Sequence, residues 1–452
     1  MPSVLSNDSG VWVNSRRVYI WAASFIAARA YQVESGVAFT DRLPSLGYPD
    51  FRRWIVGSFF SNVGGSLQLW AVFWQLDNLT HDVRSVGYVG LIRVFPLLAF
   101  GLFAGLVADT RERPKILLVT QSAMGIVSLA LAGLTLAGSI TPGLIYLLLG
   151  LDACARAYDG PARQSIVANL VPSHHYANAA SIGGIQWRLS EVLGPVLSGL
   201  FIWSFGAQNG PGAAYVVNAL SFGALLYAVL RLPPMPARNE RSQGTAAVLN
   251  SIKEGIVFLR RTVVVRNAMW IDFWGTFVAG ASALLPAYNR AVLHLDERYY
   301  GFLISSQGLG AMIASSFLAW RPAYENPGRI VIAMIALFGI STAGVGLSPN
   351  FWVAAFFLMG VGATDMISTV QRQTIRQLAV PDEMRGRLSS IGMIFQVSGP
   401  QLGDYEAAQL AAYTGTRASF IVGGLGAIFA AGWYWLRGPA LRDYKYDTTK
   451  PS

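Results

Sequence analysis

The chain has 452 residues, of which 53% are apolar or aromatic and only 13% are Asp, Glu, Lys or Arg, and its mean hydropathy is +0.43. Too few polar side chains remain to cover a water-facing surface, which excludes a soluble domain or a disordered chain and leaves an integral membrane protein. The net charge of +10 calls for no nucleic-acid partner, because basic loops beside anionic lipid account for it.

Residues 1–50 precede the first apolar window. Arg16-Arg17 followed by the apolar run 18–28 imitates a signal peptide, but a cleaved leader would put Arg52 and Arg53 on the wrong flank of the first span. An amphipathic surface helix or an upstream start codon fits better, and 1–50 is expected to be a cytoplasmic segment. Windows of about twenty apolar residues, enough to cross a bilayer as helix, follow near 54–76, 85–108, 116–137, 142–167, 176–205 and 211–230. A polar linker, 232–266, carries Pro233, Pro234 and Pro236 and is expected to hold one surface helix at 248–259. A second set of windows lies near 268–290, 300–320, 329–348, 350–375, 388–412 and 417–436, and 438–452 is a short tail.

The two sets are one segment written twice. Arg163-Gln164-Ser165-Ile166 is matched by Arg372-Gln373-Thr374-Ile375, Pro172 by Pro381, and Ser181-Ile182-Gly183 by Ser390-Ile391-Gly392, all at an offset of 209 residues. Gly194-Pro195 and Gly399-Pro400 keep the order with a slip of four residues, about one helical turn. The expectation is twelve helices in two pseudo-symmetric bundles, 51–231 and 267–437. The connections 138–141, 206–210 and 348–350 carry no charge, whereas Arg111, Arg113 and Lys115, the linker, and Arg385 with Arg387 are basic. Basic loops face the cytoplasm, so the linker and both termini are expected there.

Charges inside spans are costly and normally face an internal cavity. Asp152, Arg156, Asp159 and Arg163 are spaced four, three and four, which stacks them on one helical face with alternating sign. Glu191 and Arg188 lie on the fifth span, and Asp272, Asp365 and Asp404 are further buried acids. Asp272 and Asp365 have no obvious partner on their own helix. A carboxyl group in a poorly hydrated cavity can load and release a proton near neutral pH, so these acids, with Arg156 and Arg188 as exchangeable partners, are proton-coupling candidates. Arg93, Trp70, Trp74, Trp187, Trp274, Tyr288 and Gln307 would suit a flat aromatic or anionic ligand, or serve as packing residues. No loop to cradle ATP phosphates and no metal-protease motif is present; an ion gradient remains as the energy source. Cys154 stands alone and the four histidines lack ligand spacing, so no disulfide, metal or cofactor is expected, nor an enzymatic role.

The loop after the second span runs Gly105-Leu-Val-Ala-Asp109-Thr-Arg111-Glu112-Arg113-Pro114-Lys115. Here the chain resembles the major facilitator superfamily, whose signature in this loop is a Gly, an Asp four residues later and a basic cluster; Thr110 and Glu112 depart from it. The resemblance implies a cytoplasmic gate made by Gly105, Asp109 and Arg113 with Arg163, Arg372, Arg385 and Arg387. Ser190-Glu191-Val-Leu-Gly194-Pro195-Val-Leu-Ser198-Gly199 resembles the antiporter motif of that superfamily, with two serines in place of glycines, and Gly399-Pro400 repeats its core. Small residues let backbones approach and Pro bends the helix, so Gly194, Pro195, Gly199, Gly399 and Pro400 are expected to form hinges. Together with Gly90-Leu-Ile-Arg93-Val-Phe-Pro96, Asp159-Gly-Pro-Ala-Arg163-Gln and Arg385-Gly-Arg387, these segments resemble the multidrug and siderophore exporters of the superfamily. What this implies is a monomeric, proton-coupled exporter of small organic molecules in a bacterial inner membrane. An importer or facilitator of the same fold, or a membrane sensor or scaffold, stays open.

Overall fold

Proline and short polar side chains decide where the helices begin. The computed structural model describes residues 43–233, 235, 245–320 and 324–445; the expectations for 1–42 lie outside them. Helices α1 (Pro49–Thr80), α3 (Arg113–Leu136), α4 (Pro142–Leu170) and α10 (Pro327–Leu347) each start with Pro in the first turn, where its missing N–H costs nothing. Asp82 caps α2 (Val83–Thr110) by accepting from the Arg84 amide. The remaining helices are α5 (Tyr176–Leu230), α6 (Thr245–Arg261), α7 (Val263–Ala279), α8 (Leu285–Ala291), α9 (Glu297–Trp320), α11 (Phe351–Ala379), α12 (Asp382–Thr414), α13 (Thr416–Arg437) and α14 (Pro439–Arg442). Among the described residues there is no strand. Lipid cannot hydrogen-bond a loose backbone, so this is what a spanning chain must do.

The duplication survives in the helix ends. Helices α4 and α11 both have 29 residues, with Arg163 and Arg372 at the same place in each. Their N-caps also correspond: Thr141 accepts from the Leu144 amide and Asn350 from the Val353 amide. Gly206 and Gly415, again 209 apart, adopt φ/ψ of 80°/165° and 88°/156°. Side-chain-bearing residues avoid that region, so each glycine turns the chain sharply between two antiparallel helices. The connection expected over 206–210 therefore shrinks to one residue: α5 is two arms, 176–205 and 207–230, broken at Gly206. The seventh span also differs from the continuous 268–290 expected, because α7 stops at Gly280 and resumes through a turn at Ser282–Leu284 as α8. A Cβ at Gly280 would collide with the Thr276 carbonyl of its own helix and lie 3.2 Å from the Pro400 carbonyl. The Ala283 amide freed by the break donates to Asp404 of α12 at 2.9 Å.

Two further devices hold the N-terminal half. Ser61, Gln68 and Gln75 of α1 meet Gln121, Ser128 and Thr135 of α3, a polar pair every seven residues along two helices of the same direction. Asn218 and Tyr215, on the second arm of α5, donate into the upper two pairs. The expected surface helix of the linker is α6. After α13, Asp443 accepts from Arg442 and Arg329, and these bonds hold its carboxyl down at about 2.

The halves touch mainly at one end. On the face opposite the linker, Trp74 and Ile202 share a core with Tyr288, Tyr300, Leu303 and Phe420. On the linker face the clusters stay within one half: Phe51, Trp54, Ile166 and Leu225 in the first, Ile271, Ile335 and Ile375 in the second. None of the hydrophobic clusters on the linker face joins the two halves among the described residues.

Gly206→Ala and Gly415→Ala are each expected to destabilise the protein by about 1–3 kcal/mol, whereas Gly432→Ala, where a Cβ meets nothing within 4 Å, leaves the melting temperature unchanged in detergent. Equal melting of all three variants would remove the turn argument.

Candidate functional site

A charged side chain in the bilayer needs a partner or water, and α4 supplies its own. Arg156 Nε donates to Asp152 Oδ2 at 2.5 Å, and Arg163 Nε donates to Asp159. In each pair the acid precedes the base by four residues, the favourable order on a helix. Gly65 of α1 leaves room for the Arg156 guanidinium, since a Cβ there would lie 3.2 Å from both terminal nitrogens. The lower pair is tied to two more helices. Thr120 and Gln121 of α3 donate to Asp159 at 3.1 and 2.5 Å, and Arg163 donates to Ser61 of α1 at 2.8 Å. Arg93 of α2 sits beside the upper pair, in the fields of Asp152, Arg156 and Asp404. Arg93 and Asp404 thus face each other across the two halves.

The second half distributes its charges differently. Arg372 pairs with Asp272 of α7 and donates to Thr369 at 2.8 Å; Asp272, which has no partner on its own helix, finds one on α11. At the place that corresponds to Asp159 the second half has Ser368, and Asp365 stands where the first half has Arg156. Asp365 lines a cavity of ≈ 580 Å³ of empty space with Thr276, Ser282, Gln307, Thr342 and Phe420. No hydrogen bond or ion pair of Asp365 occurs among the described residues; the charged groups whose fields reach it are Arg188 and Glu191. These two pair with each other on α5, and Glu191 also accepts from Trp187 at 3.0 Å. Arg188 bonds to Glu191 and Arg156 to Asp152.

The other candidates separate into exposed, cavity-lining and core positions. Trp187 and Trp274 are exposed, Trp274 within an aromatic group of Trp270, Phe273 and Phe277. Gln307 lines the Asp365 cavity. Tyr288 is fully buried and donates to the Val345 carbonyl, so it is a core residue at the closed end. Trp70 and Trp74 also lie there, around Tyr300. The glycines expected to form hinges are closely packed: Gly199 against the Gly301 backbone of α9, Gly194 against the Ser66 side chain and Gly399 against the Thr276 hydroxyl. The side chains of Asp109, Arg385 and Arg387, and the surroundings of Gly105, lie outside the described residues. The gate they were expected to form with Arg113 is therefore untouched by the geometry.

One pair was not singled out from the sequence. Arg290, in α8, donates through Nε and a terminal nitrogen to both oxygens of Asp77 at the end of α1, at 3.0 and 2.9 Å. Asp77 is 2% exposed. It is a bidentate bridge between the halves at the closed face.

Residues 43–444 match the transmembrane secretion effector family. The chain belongs to that family. It is 24% identical over 383 residues to the enterobactin exporter EntS of Citrobacter koseri, covering 84% of this chain and 90% of that one. Among solved structures, a bacterial homologue of the human lysosomal transporter Spinster, inward-facing and unoccupied, superposes with a TM-score of 0.68 at 14% identity, over 89% of this chain and 99% of that one. A D-xylose–proton symporter gives 0.69 at 12%, over 88% and 100%. The fold is that of the major facilitator superfamily, and the protein is a multi-pass membrane transporter.

Asp77→Asn or Arg290→Gln is expected to loosen the closed face by about 1.5–3 kcal/mol, the range for hydrogen bonds to charged groups. In a Cys154→Ser background, labelling of a cysteine placed at buried Ala281 by an impermeant maleimide should rise roughly tenfold or more. The exchange Asp77→Arg with Arg290→Asp should restore slow labelling; fast labelling in the exchanged protein and slow labelling in the single variants would show that the bridge holds nothing shut.

Proposed function

We propose that the protein is a secondary active exporter of small organic molecules, of drug or siderophore type, driven by a proton gradient through alternating access. The observation that supports this reading is the one-sided packing: the halves share a hydrophobic core at one face, whereas at the other the clusters stay within one half, as a cleft opening there would require. The linker face, flanked by basic loops, is taken as cytoplasmic, which places the termini and the cleft opening there in a bacterial inner membrane. Eight helices among the described residues are long and apolar enough to cross a membrane. Twelve crossings follow if the two arms of α5 count separately and α1, α4 and α12, of similar length but richer in polar groups, are added. Both bundles, 51–231 and 267–437, belong to one chain joined by the linker, so a monomer suffices. The outward direction is supported by the family's description and by the exporter among its relatives.

Among the coupling candidates the geometry favours Asp365. Asp152, Asp159, Asp272 and Glu191 are each already engaged by a guanidinium. Asp365 faces a polar cavity without such a bond, and can take up and release a proton as the cavity opens and closes. Arg93, beside the Asp152–Arg156 pair and in the field of Asp404 of the other half, suits the phenolate or carboxylate of an aromatic ligand.

Everted vesicles with an acid interior test both statements. A labelled catecholate siderophore or an aromatic dye should accumulate inside; accumulation only when the gradient is reversed would make the protein an importer. Asp365→Asn should keep substrate exchange at zero gradient and lose uphill accumulation. Uphill accumulation by that variant at the wild-type level would return the role to Asp152, Asp159 or Glu191.

A further inference from the structure

The two halves differ in charge at corresponding places near the linker face. In the first half Arg163 is fully engaged by Asp159, Ser61 and Asn62, and one turn further along α4 stands Val167, packed on the apolar core of that half. In the second half Arg372 is engaged by Asp272 and Thr369, and one turn further along α11, where the repeat puts Val167, stands Arg376. Arg376 is half-buried and makes no hydrogen bond or ion pair among the described residues; its charged neighbour is Arg372, of the same sign. Asp272, Arg372 and Arg376 together leave one positive charge unbalanced.

These residues line one cavity between α7, α11 and α12, with ≈ 440 Å³ of empty space open to solvent. Its walls are apolar where they meet α7 and α12, at Val265, Met269 and Phe395, and polar at Gln373 and Gln396. Gly392 is what admits the guanidinium: a Cβ at that position would lie 2.5 Å from a terminal nitrogen of Arg376. A guanidinium half-withdrawn from water is costly unless something pairs with it. Five fixed donors in a fork, beside two side-chain amides, match a planar or tetrahedral oxyanion.

We propose that this cavity is an oxyanion-binding site, in which Arg376, supported by Arg372, Gln373 and Gln396, holds a phosphate or carboxylate group. The group belongs either to a lipid headgroup or to a soluble anion entering from the linker face. The site is separate from the Asp365 cavity and does not depend on the direction of transport.

Melting curves of the purified full-length protein test it. In neutral detergent, inorganic phosphate should raise the melting temperature of the wild type in step with the logarithm of its concentration, relative to sodium chloride at matched ionic strength. Arg376→Gln should abolish that shift. Without phosphate the variant should melt at or above the wild type, because an unpaired charge has been removed; Arg376→Lys should keep a reduced shift. The source is read in nanodiscs. If phosphatidylglycerol in place of phosphatidylcholine stabilises the wild type and cancels the phosphate effect, a headgroup occupies the site; if the phosphate effect persists, the occupant is soluble. The proposal is overturned if neither phosphate nor phosphatidylglycerol stabilises the wild type, if Arg376→Gln responds equally, or if that variant melts well below the wild type without anion, as a structurally paired arginine would.

Discussion

The structure depends on the cost of an unpartnered charge or backbone amide where water is absent. A spanning helix satisfies its own backbone but leaves a carboxylate or guanidinium to find a partner inside the protein or face a cavity. Asp152 and Asp159 find theirs four residues along α4. Asp272 finds Arg372 on another helix, and Asp404 takes the amide that the break at Gly280 sets free. The pairing rule also explains the shape of the break. An interrupted helix within a membrane exposes amides, and a carboxylate already present in α12 is a ready acceptor for one of them. Charge pairing and helix geometry are the same constraint seen twice.

The helix content, the duplication and the charged stripe of α4 were legible in the sequence because they are local. An apolar window announces itself, an offset of 209 can be counted, and residues three and four apart must share a helical face. The partners that come from other helices were not legible. Asp272 looked unpaired because Arg372 is a hundred residues away, and nothing about Asp77 or Arg290 marks them as opposed across the closed face. Two signals were present and passed over. Gly206 and Gly415 obey the same offset as the arginines, and two glycines so placed between apolar runs mark turns that need a positive φ. Ser61, Gln68 and Gln75 with Gln121, Ser128 and Thr135 repeat at seven residues, which announces a seam between parallel helices. Tyr288, read as a ligand contact or a packing residue, is packed in the core; an aromatic residue at mid-chain carries no mark of which side of a helix break it falls on.

The two halves descend from one plan yet solve the charge problem differently, and this bears on how they can move. In the first half the charged pairs lie within α4, and α1 and α3 are bonded to its lower pair through neutral side chains. In the second half the Asp272–Arg372 pair links α7 to α11 directly. Neither arrangement bridges the halves. The alternating access proposed above would leave both intact, so no buried ion need be stripped of its partner, a loss worth about 3–5 kcal/mol.

Contacts that the proposed rocking motion would remake are of another kind. At the closed face they are the approach of Gly199 to Gly301, of Gly87 to Ala408 and of Gly90 to Gln401, where backbones meet with little side chain between them, together with the Asp77–Arg290 bridge. Small residues give a close fit through many weak contacts, which part and reform without leaving a large apolar side chain stranded. The bridge adds one directional interaction to this smooth surface. Asp77 is almost wholly covered while Arg290 is partly open to water, so on separation the arginine is easily rehydrated and the aspartate bears most of the cost. In energetic terms the closed face resembles a catch more than a weld: strong enough to be populated, and assembled from parts that can each be given back to water or to lipid when the opposite face closes.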